Sequence, residues 1–256
     1  MQAPSAPLFS IVMATFNAAQ WLERALASVL GQDFPHWELL VQDGGSNDAT
    51  LDILDACKDS RVSIVTKPDH GVYHAWNRAV SHARGTWALF LGADDFLVKN
   101  DVLGRCAPLL RACGTDTVFA YGLLALGNGG TVSAMVDRSR HEVFRTFVED
   151  RDMGLPFPAT FVRAAFLKTH PFDSAFRIAG DFDFAAAHIS LENLARLPLC
   201  VSYLEQGGLS SDPAHADLLL HERAQVMRTR VRPRLAAFAR ALEATSASAS
   251  AEHGVV

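Results

Sequence analysis

The sequence predicts an α/β protein with a Rossmann-like, mostly parallel central sheet. Three observations carry that prediction. Strand-like and helix-like stretches alternate through the first hundred residues. The strand-like stretches are nearly continuous apolar runs, as strands covered on both faces must be. Polar residues then recur just after those runs, where open α/β sheets bind ligands.

Taken in order, Phe9–Ala14 reads as the first strand. Asn17 is placed to cap a helix whose apolar stripe is Leu22, Ala25, Leu26, Val29 and Leu30. Trp37–Gln42 is a second strand, and Asn47 or Asp48 can cap a second helix carrying Leu51, Leu54 and Cys57. Val62–Thr66 is a third strand, Val72–Ala83 a helix ended by Gly85, and Ala88–Leu91 a fourth strand. The second half is less regular. Val102–Ala112 reads as a helix, and Asp116–Leu126 and Thr131–Met135 flank Gly-Asn-Gly-Gly as a hairpin. Pro156, Pro158 and Pro171 punctuate a loop-rich stretch before a helix at Asp181–Ile189 and a late strand at Leu199–Leu204. Leu218–Leu242 is a long Arg-rich helical pattern that Pro233 should kink or divide, and residues 244–256, rich in Ala and Ser, read as disordered.

Bulk properties bound the function. The chain of 256 residues has a formal net charge of −5, which argues against nucleic acid as a partner, since phosphate binding needs clustered positive charge. No apolar run is long enough to span a bilayer, and the amino terminus lacks the basic and apolar regions of a signal peptide. Cys57, Cys106, Cys113 and Cys200 form no Cys-x-x-Cys pair, so reduced thiols in a cytoplasmic protein are expected.

The chemistry gathers at the strand ends. Thr15 and Asn17 follow the first strand, Asp43 the second, Lys67 and Asp69 the third, and the adjacent pair Asp94 and Asp95 the fourth. In a parallel sheet these ends converge on one rim. Neither a Gly-x-G-x-x-Gly turn nor a P-loop is present, so a nucleotide here would be held by side-chain acids and a metal. Paired carboxylates repel each other and suit a hard divalent ion. Both Asp43 and Asp69 have a plainer alternative in stabilising turns, as does Asn77 at the helix start. His70 and His74 have metal-compatible spacing without the accompanying acid of a zinc motif.

Four segments, Phe9-Ser-Ile-Val-Met-Ala-Thr-Phe-Asn17, Gln42-Asp-Gly-Gly-Ser-Asn-Asp-Ala-Thr50, Asp69-His-Gly-Val-Tyr-His-Ala-Trp-Asn77 and Leu91-Gly-Ala-Asp-Asp95, follow one another in an order that resembles family 2 inverting glycosyltransferases of the colanic-acid and exopolysaccharide type. The resemblance is dense over residues 8–97 and thinner through Pro171-Phe-Asp173, Ala179-Gly-Asp-Phe-Asp183 and Gly207-Gly-Leu-Ser210. It implies a single glycosyltransferase A domain over 1–215, with a nucleotide-sugar half at 8–97 and an acceptor half at 98–215, followed by a helical extension at 216–243. It also implies roles. Thr15, Phe16 and Asn17 should line the base pocket, and Asp43 should accept a hydrogen bond from the base. Asp94 should approach the ribose or the metal shell, and Asp95 should bind Mn²⁺ or Mg²⁺. Asp69 and Asn77 could touch the donor. Asp181 matches the catalytic base; its plainer alternative is to cap the helix at 182–189, with Asp183, two residues on, as the base instead. Phe16 stands where many relatives have Tyr, and Gly180 where Glu often precedes the base.

The expected function is transfer of a sugar, with inversion, from a nucleotide-diphosphate sugar, most simply a UDP-sugar, to a saccharide or lipid-linked saccharide. The alternatives are an inactive sugar-nucleotide-binding scaffold and a sugar-phosphate nucleotidyltransferase. The arginines at 223, 228, 230, 232, 234 and 240 either form the solvated face of a docked helix or attract the chain to the anionic inner face of a membrane.

Overall fold

The computed structural model describes residues 6–147 and 153–235. The strands are β1 (Phe9–Thr15), β2 (Trp37–Asp43), β3 (Val62–Thr66), β4 (Trp87–Phe90), β5 (Phe96–Leu97), β6 (Phe119–Asn128), β7 (Thr131–Val136), β8 (Thr160–Arg163) and β9 (Leu194–Glu205). The helices are α1 (Ala19–Leu30), α2 (Thr50–Ala56), α3 (Val72–Ser81), α4 (Val102–Ala112), α5 (Arg140–Arg145), α6 (Ala164–Thr169), α7 (Gly180–His188) and α8 (Ala216–Val226). Together the strands form a single sheet in the order β3-β2-β1-β4-β8-β6-β9-β5, with β7 paired to β6. The β3-β2-β1-β4 half is parallel, as the alternating pattern predicts. From β8 onward the pairing is mixed: β8 runs antiparallel to both β4 and β6, whereas β6 and β9 are parallel.

The first four strands read as continuous apolar runs because they are covered twice. In β1, Ile11 and Met13 pack into a core shared with α1 and α4, while Val12 joins the opposite core with α3 and α7. The second core is strongly aromatic: Trp76 lies 4.5 Å from Phe90, and Phe172 lies 5.1 Å from Phe90 and 4.6 Å from Phe184. At the β6–β7 turn, Gly129 and Gly130 take φ of 57° and 83°, the left-handed pair that a two-residue hairpin of matching twist requires.

Several expectations need correction. Asn17 does not cap α1. It sits in the left-handed region at φ 51°, and its side chain accepts from the Asn47 N–H. The first N–H groups of α1 are instead satisfied from the loop after β2, Ala18 by Thr50 Oγ1 and Ala19 by Asp48. Capping from a neighbouring segment leaves no local sequence signature. The proline-rich stretch contains β8 and α6, which sequence patterning missed because each is very short. Pro233 does not divide the last helix. The chain widens into a π turn at Met227–Val231 and continues helically to residue 235. The wider turn accommodates the carbonyl at Thr229, which the proline ring would otherwise crowd. The remainder of the expected helix and the tail at 244–256 lie outside the described residues.

Candidate active site

A cavity of about 670 Å³ opens at the carboxyl ends of β1, β2 and β4. Of the residues singled out from sequence, Thr15, Phe16, Asn17, Asp69 and Asp94 line it. Phe16 is 65% exposed, an aromatic face available to a ligand rather than to the core. Gly44 sits between Phe16 and Asp69, where a Cβ would stand 3.4 Å from the Phe16 ring and 3.0 Å from Asp69 Oδ2. Its lack of a side chain lets a flat group approach the backbone there. Leu209 and the neighbouring Gly208 close another side, and a Cβ on Gly208 would meet Asp94 Oδ2 at 3.0 Å.

Asp43 and Asn77 serve the walls of this cavity and do not line it. The Asp43 carboxylate is buried and accepts four hydrogen bonds, from the Gly45 and Ser46 N–H groups, Ser46 Oγ and Thr15 Oγ1. These bonds to the charged form hold its pKa below the ordinary carboxylate value, despite the opposing effect of burial. Asp43 therefore locks the loop after β2 against the end of β1. Asn77 spends both ends of its amide on the Phe172 backbone, accepting from N–H at 2.9 Å and donating to C=O at 2.8 Å. It ties α3 to the segment that leads to α7, a contact different from the helix-start role that its position suggested.

The acid pair ends β4 under different constraints. Asp95 is 3% exposed and accepts from the Glu205 N–H at 3.0 Å and the Gly92 N–H at 3.3 Å. Burial and then the neighbouring Asp94 charge push its pKa up to about 8. Burial and the charge of Glu205 push Asp94 up as well. Oxygens of both carboxylates converge over Gly92: a Cβ there would lie 2.6 Å from Asp94 Oδ1 and 2.7 Å from Asp95 Oδ2. Arg24 binds the Asp94 main-chain oxygen at 2.7 Å and Glu205 at 2.6 Å, so it braces the turn without neutralising either aspartate side chain.

Asp181 opens α7. Its Oδ1 accepts from the Phe182 N–H at 2.8 Å and lies 3.1 Å from Tyr73 Oη, whose single proton is shared with the Ile178 carbonyl at 2.5 Å. Loss of hydration pushes its pKa up to about 6, with the Phe182 and Tyr73 hydrogen bonds opposing the rise. Asp181 does not itself line the cavity. It follows Arg177 along the chain, and its partner Tyr73 follows Val72, both of which do. Gly180 is required by the same contact: a Cβ there would lie 2.7 Å from the Tyr73 ring, so a glutamate before Asp181 has no room. Asp183 is committed elsewhere. It is buried and held by Arg230 through two hydrogen bonds of 2.8 and 3.2 Å.

The family model described as glycosyl transferase family 2 matches residues 10–149. A PGL/p-HBAD biosynthesis glycosyltransferase of Mycobacterium tuberculosis is 33% identical over 214 residues, covering 81% of this chain and 80% of the relative. The chain belongs to glycosyl transferase family 2. An Escherichia coli relative, the UDP-Glc:alpha-D-GlcNAc-diphosphoundecaprenol beta-1,3-glucosyltransferase WfgD, is 31% identical over 49% of each chain. Among solved structures, residues 1–349 of S. aureus TarS superpose with a TM-score of 0.63 at 20% identity, covering 87% of this chain and 66% of that one. The mannosyltransferase PcManGT of Pyrobaculum calidifontis, solved with GDP-Man and Mn²⁺, superposes with a TM-score of 0.59 at 18% identity, covering 96% of this chain and 76% of that one. At these identities the likeness establishes the glycosyltransferase A fold.

Within this family 2 chain the structure adds residues that sequence reasoning missed. Glu222 of α8 is buried, and its carboxylate accepts three consecutive N–H groups, Arg177 at 2.7 Å, Ile178 at 2.9 Å and Ala179 at 2.8 Å. Arg230 holds Asp183, and Arg234 donates to the Ala186 and Ile189 carbonyls at the end of α7. Val226 and Val231 are buried in the aromatic core. The Arg-rich extension is thus a brace for the helix that begins at Asp181. A Glu amid Leu and His on a helix gives no sequence sign of that role. His74 is likewise spoken for, since its Nδ1 accepts from the His70 N–H while the two rings stack.

The chemistry of the acid pair fits a hard divalent cation. Two carboxylates with oxygens converging on one point, and pKa values raised by burial and by neighbouring negative charge, would be stabilised by a positive ion. Asp94, on the cavity, and Asp95, behind it, would hold that ion. When bound, it would offset the charge of a diphosphate as a Lewis acid. Among the described residues no group of three or more His, Cys, Asp or Glu side chains is arranged for a metal, so the substrate itself would complete the ligand shell.

Proposed function

We propose that this glycosyltransferase moves a sugar, with inversion, from a nucleotide-diphosphate sugar bound in the cavity to a saccharide or lipid-linked saccharide acceptor. The observation that carries the reading is the gathering of Thr15, Phe16, Asn17, Asp69 and Asp94 on one cavity, with Asp181 beside its Arg177–Val72 wall. The base would lie against Phe16 over Gly44, within reach of Asp69. The diphosphate would extend toward Asp94. The Asp181 carboxylate, ionised above about pH 6, would take the proton of the acceptor hydroxyl as that oxygen bonds to the anomeric carbon. The bond from that carbon to the diphosphate oxygen breaks on the opposite face, and its electron pair leaves with the nucleoside diphosphate.

A UDP-sugar donor draws support from the donor named for WfgD and from TarS, solved with UDP-GlcNAc. A lipid-linked acceptor in cell-surface glycan synthesis draws support from the diphosphoundecaprenol substrate named for WfgD and the PGL biosynthesis assigned to the mycobacterial relative. Among the described residues no helix is long and apolar enough to cross a membrane. Peripheral attraction to an anionic inner membrane face would rest on the exposed Arg228 and Arg232, at about 1 kcal/mol each.

Thermal shift against a panel of UDP-, GDP- and dTDP-sugars with Mn²⁺, followed by donor hydrolysis, tests the reading. One donor class should raise the midpoint only with the cation and should be slowly hydrolysed. Stabilisation without any turnover, alone or with saccharide acceptors, would favour the binding-protein alternative.

A further inference from the structure

We propose that Arg177 is the protein's own cation for the donor diphosphate. It would bind the phosphate oxygens directly and take up the negative charge that grows on them as the sugar leaves. The inference deepens the donor reading above and rests on it.

The argument begins with charge. The cavity presents Asp69 and Asp94, with Asp95 buried directly behind Asp94. Left to these acids, a diphosphate would be repelled. Among the described residues, Arg177 is the one Lys or Arg that lines the cavity. Its guanidinium runs along the Gly71 backbone, where a Cβ would stand 3.5 Å from Nε and 3.9 Å from Cζ. That position is at the start of α3, on a different wall from the acid pair.

Other arginines near the site are spent on the protein. Arg24 is paired with Glu205, Arg230 with Asp183, and Arg234 with two α7 carbonyls. The Arg177 side chain is exposed and makes no ion pair among the described residues, while its main chain is fixed by the Glu222 carboxylate. A fixed backbone with an unspent planar fork of donors is the arrangement that recognises phosphate oxygens. The same three hydrogen bonds to Glu222 hold the chain just ahead of Asp181. One short segment would therefore set both the cation for the leaving group and the base for the acceptor.

The test is calorimetric titration of the full chain with Mn²⁺, using UDP and GDP against uridine and guanosine. The proteins compared are wild type, Arg177→Ala and Arg177→Lys. Because the side chain is exposed, both variants should keep the wild-type melting midpoint. Arg177→Ala should weaken the bound nucleoside diphosphate by about tenfold or more, the size of a charge-assisted hydrogen bond, and leave the matching nucleoside unchanged. Arg177→Lys should recover part of the loss. Wild-type binding of a nucleoside diphosphate that both variants match within about twofold would overturn the Arg177 assignment alone. Failure of the wild type to bind either diphosphate would overturn the donor reading and this inference together.

Discussion

Buried carboxylates occupy both rims of the parallel half-sheet, and they are treated in opposite ways. At the amino rim, Glu38 of β2 accepts from Ser10 Oγ at 2.7 Å, from the Arg84 and Gly85 N–H groups, and from Arg84 Nε at 2.7 Å. Its charge is met by a guanidinium of the same chain. At the carboxyl rim, Asp95 has two main-chain donors, a second carboxylate beside it and no paired cation, and its pKa rises to about 8. On α7, Asp183 is ion-paired with Arg230, while Asp181 accepts hydrogen bonds from Tyr73 and a main-chain N–H and has the Arg223 charge opposing the rise in its pKa. Glu38 and Asp183 each receive a guanidinium from the protein, whereas Asp43 and Glu222, which also tie the fold together, are held by uncharged donors. Of the carboxylates with raised pKa, Asp94 lines the cavity, while Asp95 and Asp181 lie off its lining.

The comparison on α7 should break most visibly. Asp181→Asn keeps shape and removes proton acceptance, so transfer should fall by about 10²-fold or more with nucleoside diphosphate affinity unchanged. In the wild type kcat should climb as pH rises through about 6, because the carboxylate must be ionised to act as base, and the variant should lose that limb. Asp183→Asn should instead lower the melting midpoint through loss of the Arg230 pair. Reversal of these two outcomes would make Asp183 the base.

The two rims give the next largest difference. Asp95→Asn should remove the dependence of nucleoside diphosphate binding on Mn²⁺ or Mg²⁺, measured by titration with and without chelator. Arg84→Met, at the opposite rim, should cost about 1–3 kcal/mol of stability by leaving Glu38 short of its cation, with cation-dependent binding intact. Equal affinity of the wild type in chelator and in Mn²⁺ would remove the metal from the reading.

The smallest effect sharpens the account of Tyr73. Its hydroxyl holds down the pKa of Asp181, so Tyr73→Phe should move the acid limb of the kcat profile to higher pH and leave the plateau nearly unchanged. A limb that does not move would leave Tyr73 to its hydrogen bond with the Ile178 carbonyl and its packing over Gly180.

Much of this protein was determined by local sequence. Strand runs, helix stripes and the Gly129-Gly130 turn depend on periodicity and backbone preference within a few residues, which is why β3 and α4 fall on the expected residues. The rim positions of Asp69, Asp94 and the Thr15–Asn17 loop follow from the parallel topology that the alternation implies. What only the tertiary structure decided are choices made across long separations. Hydrogen bonds that fix Asp43 and Asn77 come from Thr15, 28 residues away, and from Phe172, 95 residues away. Arg230 reaches Asp183 from 47 residues downstream, and Glu222 reaches Ala179, just ahead of Asp181, from 43. A carboxylate's role depends on whether a donor or cation reaches it in space, and burial and charge pairing are set by the packed fold rather than by neighbours along the chain.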